Sequence, residues 1–443
     1  MKKDKSNSLG IIDGWAIGTG AMMGCSIFVV SGTASGIAGP SAALGFFLAS
    51  LIAMIVAVCY SEIATAFPET GGAYVYPRKV IKGALGECLS FCSGWALFGG
   101  QGLGSAIVAV YTAEYLNWTL ECFNITNPIP VKVIAFALII FYALLNMKNM
   151  SGGKMFQLVT TIVIAGIMVL YCVWGAAYVD TANFADFAPN GWGAMFTATA
   201  MALMSYGAWS VIPSMGTAFR NPSRDIPMSM LLSLISCGVI FGLFVLVMNG
   251  MATPEMLGSS ATPSADAFLL HSRYGALIIA VGGIFACVSS SNSHVMTSSR
   301  IPYKMSQDGF LPKGLSHVNK NGIPTYAILF MMVCQLVVAA TGTINLLVQM
   351  IVFVTSVSWL ITLICSLILR QKHPEIHPPF KMPGYPVILI IAFIILLFMM
   401  TRFTIPAMSI GTVWILLGVG IYLTFTKTEL KKFCKKSSDE QEG

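Results

Sequence analysis

The sequence predicts an all-α integral membrane protein of about twelve transmembrane helices, with helices 1 and 6 discontinuous. Three observations carry that expectation. Apolar residues make up 56% of the 443 and charged residues only 10%, where a soluble domain carries roughly 25% charged. Runs long enough to cross the hydrocarbon core recur along the whole chain, and they are continuous rather than alternating, which selects helices over a barrel. Small and helix-breaking residues gather inside two of those runs, at matching places.

In chain order the runs fall at roughly 10–37, 40–67, 84–116, 130–147, 154–178, 192–218, 228–250, 274–299, 324–342, 345–369, 384–402 and 404–426. The first follows MKKDKSNSLG and lacks a signal-peptidase-like site, so an uncleaved N-terminus is expected. The third is long enough to be tilted. The loops are short, and the sequence shows no extramembrane domain or linker. The expected division is a cytoplasmic segment 1–9, one transmembrane domain 10–426 and a basic tail 427–443.

Charge placement supports this map. With the N-terminus inside, every lysine and arginine except Lys132, Arg273 and Arg402 falls on the cytoplasmic side, as the positive-inside rule requires. Both termini are then cytoplasmic and the protein is expected in the cell membrane. The formal charge of +7 therefore reflects membrane sidedness and gives no support to nucleic-acid binding. The tail KKFCKK reads as a last topology signal; attraction to anionic lipid is the alternative. Most of the eleven cysteines lie singly in apolar runs, where cysteine packs as a small hydrophobe.

The first run contains TGAMMGCSIFVVSG (19–32) and the sixth ATAMALMSYGAWSVIPSMGTAF (198–219). Gly20, Gly24, Ser26, Ser31 and Gly32 weaken the first; Ser205, Gly207, Ala208 and Pro213 weaken the sixth. An unwound turn at mid-membrane frees peptide groups that hydrocarbon cannot satisfy, so it belongs beside a polar cavity. The N-terminus of a half-helix holds a carboxylate, and freed carbonyls suit an ammonium. The pair of breaks therefore predicts a carrier of zwitterionic α-amino acids, sited between two units headed by runs 1 and 6.

Four stretches extend this reading: GCSIFVVSG (24–32), YSEIATAFPETGGAYVYPRK (60–79), SYGAWSVIPSMGTAFRNPSRDIP (205–227) and SSRIPYKMSQDGFLPKGLSHVNKNGIPTYA (298–327). Together they resemble the signatures of the amino acid–polyamine–organocation (APC) transporter superfamily, in its bacterial antiporter and permease branch. The resemblance covers essentially the whole chain. It implies a five-plus-five inverted repeat (about 10–178 and 192–369) with peripheral helices at 384–426, and alternating access around a central site. By position, it implies that backbone amides near Gly24, at Cys25, Ser26 and Ile27, meet the substrate carboxylate. Carbonyls near Met22, Met23, Met204 and Ser205 would meet the ammonium. The substrate side chain would point toward Phe98, Gln101, Gly102, Tyr206, Ala208, Trp209, Ser289 and Asn292. Met204 stands where relatives often carry an aromatic gate, a role that Tyr206 and Trp209 could share.

The departures from the family pattern are informative. The first break reads Gly-Cys-Ser rather than Gly-Ser-Gly, so Ser26 adds bulk near the substrate. The lysine that many relatives carry seven residues after a glutamine is replaced here, with Ile164 following Gln157. Exchange of one amino acid for another is the favoured coupling. Sodium symport through Ser289 or Ser290, and proton coupling through Glu62, Glu114 or His294, stand as alternatives. Glu62 also fits a gating salt bridge. No carboxylate lies at site depth for a cationic substrate or polyamine, and no buried cation for an anionic one, which leaves a neutral amino acid as the expected substrate. A channel or an amino-acid sensor is a reading of a different class. The sequence holds no metal-ligand cluster, cofactor motif or catalytic triad, so it does not read as an enzyme. GGQGLG (99–104) reads as close packing of helix 3 against the broken helices.

Overall fold

The computed structural model describes residues 9–439, apart from 70, 126, 149–153, 321 and 342–343. Side chains are described for these residues except at 25, 148, 154–157, 292–293, 296–297, 344–345 and 426–439. Among the described residues the chain is helical, and its one bridge between extended residues joins Leu9 to Phe219. Among the described residues eight helical stretches are long and apolar enough to cross a membrane, and three shorter apolar ones accompany them. The molecule is a multi-pass membrane protein.

The first run forms α1 (Ile11–Met22) and α2 (Cys25–Ala38), separated at Met23 and Gly24. There follow α3 (Ala42–Ala66), the short α4 (Tyr76–Val80), α5 (Ala84–Leu97) and α6 (Leu103–Cys122). Next come α7 (Val131–Lys148), α8 (Lys154–Gly175), α9 (Gly191–Tyr206) and α10 (Val211–Ser214). A long α11 (Pro222–Met251) leads into α12 (Pro254–Ser259) and α13 (Pro263–Leu269), two short helices of a connection the sequence reading had left plain. The remainder is α14 (Arg273–Ser298), α15 (Arg300–Gln307), α16 (Thr325–Thr341), α17 (Ile344–Lys372), α18 (Val387–Met400) and α19 (Ile405–Asp439).

Two boundaries differ from expectation for physical reasons. α11 starts six residues before the expected 228, because Pro222 occupies a helix-initiating position where its missing N–H costs nothing, and Asp225 accepts from the Asn221 N–H at 3.0 Å. α19 runs past residue 426 to Asp439, so the backbone of the lysine-rich tail continues the last apolar helix.

Small residues let the helices approach closely, as they do where lipid offers no hydrophobic drive for association. Along α3 and α11, Gly242 faces the Phe47 ring and Gly238 faces Ser50, whose hydroxyl donates to Leu234 O at 2.9 Å. Asn249 on α11 donates to Ser35 on α2 at 2.8 Å. Tyr115 on α6 donates to Phe28 O on α2 at 3.1 Å. The half-helices of the first interruption are thus both braced by α11 and α14 and by neighbours of their own: α1 against α8, α2 against α6 and α9.

On the lysine- and arginine-rich face the chain is fastened by polar contacts. Leu9 N–H donates to Ala218 O at 2.9 Å, and Arg220 N–H donates to Leu9 O at 2.8 Å. Arg370 on α17 makes two hydrogen bonds to the buried Glu62 carboxylate, which also accepts from the Met382 N–H at 3.2 Å. Arg78 and Tyr74, on and beside α4, both donate to Asp308 at the end of α15, and Lys304 pairs with the same carboxylate at 3.3 Å.

Candidate functional site

At the first interruption Met23 and Gly24 leave the helix, with Gly24 extended (φ −87°, ψ −172°). Gly24 at the N-cap has no side chain to cap α2, and the first-turn N–H groups at Ser26 and Ile27 point out of its N-terminus. The nearness of α14 explains the glycine: a Cβ on Gly24 would collide with the Ser290 hydroxyl and lie 2.8 Å from its Cβ. The second interruption takes a milder form. Gly207–Ser210 tighten into a 3₁₀ turn between α9 and α10, and Met204 O accepts from the Gly207 N–H. The break there is a change of helix type, so fewer peptide groups are released than at Gly24.

A third irregularity faces these two. Phe98–Gly102 form a π turn between α5 and α6, a feature that often marks functional sites. The sequence reading had GGQGLG packing on the broken helices; the structure instead sets Gly99 against Trp414 of α19 and Gly100 against Thr355 of α17. The turn's loosened Gly102 carbonyl accepts from Gln335 on α16 at 2.9 Å and from Ser105 at 2.8 Å. Gln101 projects to the second interruption, donating to the Ser210 hydroxyl at 2.6 Å.

Between the three irregular turns lies a cavity of about 60 Å³, room for about four waters. Of the site residues named from the sequence, Ser26, Gln101, Met204, Ser205, Ala208, Ser290 and His294 line it. Others are placed elsewhere. Tyr206 is fully buried with its hydroxyl on Phe46 O at 3.0 Å. Trp209 packs edge-on to Tyr60 and is stacked on Trp359. Phe98 stacks on Phe330, away from the cavity. Ser289 reaches toward Thr160 of α8 at 3.5 Å. Met22, Met23 and Ile27 are buried beside the first break, and Gly102 sits in the π turn. The side chains of Cys25 and Asn292, like that of Gln157, lie outside the described residues. Glu62 is remote from the cavity in its pairing with Arg370, and Glu114 lies on α6 outside the lining.

α17 supplies a wall the sequence reading missed: Ile351, Val352, Thr355 and Trp359. Their four-residue steps place them on one helix face, a signal hidden in an otherwise unbroken apolar run. Two buried polar atoms in the lining, Ser205 Oγ and Trp359 Nε1, have no hydrogen-bond partner among the described residues. Such atoms cost free energy unless something polar occupies the space. The described lining holds no Asp, Glu, Lys or Arg.

Outside the membrane-spanning helices, burial pushes the Asp308 carboxyl up. The hydrogen bonds from Tyr74 and Arg78 and the charges of Arg78 and Lys304 outweigh it, holding Asp308 below its ordinary value.

The amino acid permease family model matches residues 9–425. The chain belongs to that family. The APC resemblance drawn from the four signature stretches thus holds, and the matching relatives are named as permeases and transporters. This permease is 24% identical to the branched-chain amino acid permease BcaP of Bacillus subtilis (strain 168), over 97% of this chain and 95% of that one. It is 25% identical to a methylthioribose transporter of the same organism, over 96% and 94%. With the chloroplastic cationic amino acid transporter 9 of Arabidopsis thaliana it shares 28% identity over 70% of this chain and 57% of that one.

Proposed function

We propose that this permease is a secondary transporter of the cell membrane that exchanges neutral amino acids by alternating access. Its helices would form a five-plus-five inverted repeat with two peripheral spans, both termini in the cytoplasm. The observation that carries the reading is the cavity that the α2 N-terminus borders at Ser26 and into which the Ser205 hydroxyl and the Trp359 indole N–H bring no partner among the described residues. The α2 amides suit a carboxylate, and Ser205 and its neighbouring carbonyls suit an ammonium. The side chain would then lie among Val108, Leu203, Ile351, Val352 and Trp359. That wall favours an aliphatic substrate, in keeping with a relative named for branched-chain amino acids. It offers no carboxylate for the charge of a cationic substrate. The cavity is smaller than a leucine, so binding requires the half-helices to move apart.

His294 in the lining supports a second reading, proton-coupled symport. The test is uptake of labelled leucine and arginine into proteoliposomes. Exchange predicts leucine uptake that needs internal amino acid and ignores sodium and proton gradients. Uptake that follows an imposed proton gradient without internal substrate replaces exchange with symport, a strict sodium requirement points to sodium symport, and preference for arginine overturns the neutral substrate.

A further inference from the structure

Outside the cavity, the lipid-facing flank of α19 carries two adjoining grooves. The first, about 570 Å³, runs between α5, α16, α19 and the 3₁₀ turn Lys313–Ser316; Trp95, Leu315, Phe330, Ile421 and Phe425 form its walls. The second, about 520 Å³, lies on the other side of the same ridge and shares Ile421 and Phe425 with the first. Both are almost wholly apolar. Gly314 opens one and Gly420 the other, and a Cβ at either glycine would meet nothing within 4 Å.

Lysines gather toward one end of the grooves in the sequence. Lys313 is exposed on the turn that borders the first groove, and Lys320 is exposed four residues past that turn. Beyond Phe425, α19 continues through positions 427, 431, 432, 435 and 436, all lysine. The nearby Asp308 is engaged by Arg78 and Lys304. We propose that the paired grooves bind one anionic two-chain phospholipid of the leaflet on the lysine-rich side, an acyl chain on each side of the Ile421–Phe425 ridge and the headgroup among the lysines. A second copy of this chain is the poorer occupant, because pairing the flanks would bring two lysine clusters together.

The groove also reaches the proposed transport site through side chains. Trp95 and Phe330 are walls of the first groove and both pack on Phe98, with centroids 5.7 and 5.5 Å away. Phe98 begins the π turn that aims Gln101 at Ser210. A chain seated in the groove therefore buttresses the π turn from behind.

The experiment is native mass spectrometry of the full chain, delipidated in detergent and then titrated with phosphatidylglycerol or with phosphatidylcholine of the same acyl chains. One phosphatidylglycerol should be retained at least tenfold more tightly than phosphatidylcholine. Gly314→Phe and Gly420→Phe place a ring at each groove from a Cβ that meets nothing within 4 Å and should each cut that retention at least tenfold, with unchanged helical content and elution volume. Lys313→Glu combined with Lys320→Glu should erase the preference between the two lipids while leaving acyl-chain binding. Equal retention of both lipids by the unaltered chain overturns the proposal, as does retention unaffected by filling either groove. A shift of a dimer to a monomer in the filled variants, with lipid retention unchanged, assigns the flank to a second copy instead. The readout involves no amino acid, so its failure leaves the transport reading untouched, and the reverse.

Discussion

A methyl group on Gly24 would fall inside contact distance of the Ser290 hydroxyl, while the backbone angles at Gly24 are ones alanine adopts freely. The obstacle is α14, and the prediction is specific to it. Gly24→Ala should lower the initial rate of leucine uptake at least tenfold, and adding Ser290→Gly should restore most of it; no recovery in the double variant would show that the glycine serves another purpose. Asp308 gives a residue-scale prediction in pH. Its folded-state value lies below the ordinary carboxylate value of about 3.9. Its contribution to stability is therefore fully present above that value and is lost only as pH falls through the depressed one. Asp308→Asn should lower the unfolding midpoint at about pH 7, and the gap to the unaltered protein should close as pH falls below the ordinary carboxylate value. A gap independent of pH would mean that the carboxylate charge is not what the contact uses.

Single elements explain what the sequence disclosed and what it concealed. The interruption between α1 and α2 was legible because glycine, serine and cysteine cluster where a spanning helix has no need of them, and the structure breaks at Met23–Gly24. The second interruption was legible by position but not by kind. Ser205, Gly207 and Ala208 are compatible with an unwound or a tightened turn, and the structure shows the tightened one, with Trp209 inside it stacked on Trp359. The π turn was invisible, since a glycine-rich stretch reads equally well as a close-packing surface; only the partners of Gly99 and Gly100 reveal which neighbours those glycines serve. The α17 face was missed for the opposite reason, an apolar helix giving no local sign of which stripe meets a cavity. Trp359 on that stripe is directly testable. Trp359→Phe keeps the ring against Trp209 and removes the N–H. If the indole donates to a charged group of the substrate, that loss costs about 1.5–3 kcal/mol. Apparent affinity for leucine should then weaken roughly ten- to hundredfold, read as the half-saturating concentration of uptake, with the unfolding midpoint unchanged.

At the scale of the whole molecule, the lysine-rich face is fastened by contacts between distant parts of the chain. Arg370 and Glu62 lie 308 positions apart, and the glutamate side chain is only 1% exposed. Breaking a buried pair strands a charge and costs about 3–5 kcal/mol. Arg370→Met should therefore lower the unfolding midpoint markedly, and Glu62→Gln added to it should recover much of the loss; equal midpoints in the single and double variants would remove the ion pair from the account. Sequence could nominate Glu62 as half of such a contact, through its place in a signature stretch, but could not supply the partner. Contacts across such separations depend on how helices are arranged in space. The all-helical membrane class, the family and the first break are written locally along the chain; the partners of the breaks are not.

One fastening joins the two interrupted helices themselves. Leu9, which leads into α1, gives and receives backbone hydrogen bonds at Ala218 and Arg220, just past α10. The front of the first half-helix and the tail of the sixth run are therefore tied backbone to backbone. Any displacement of one relative to the other must break that pairing or carry both along. Proline at position 9, lacking an N–H, would remove the bond to Ala218 and leave the one from Arg220.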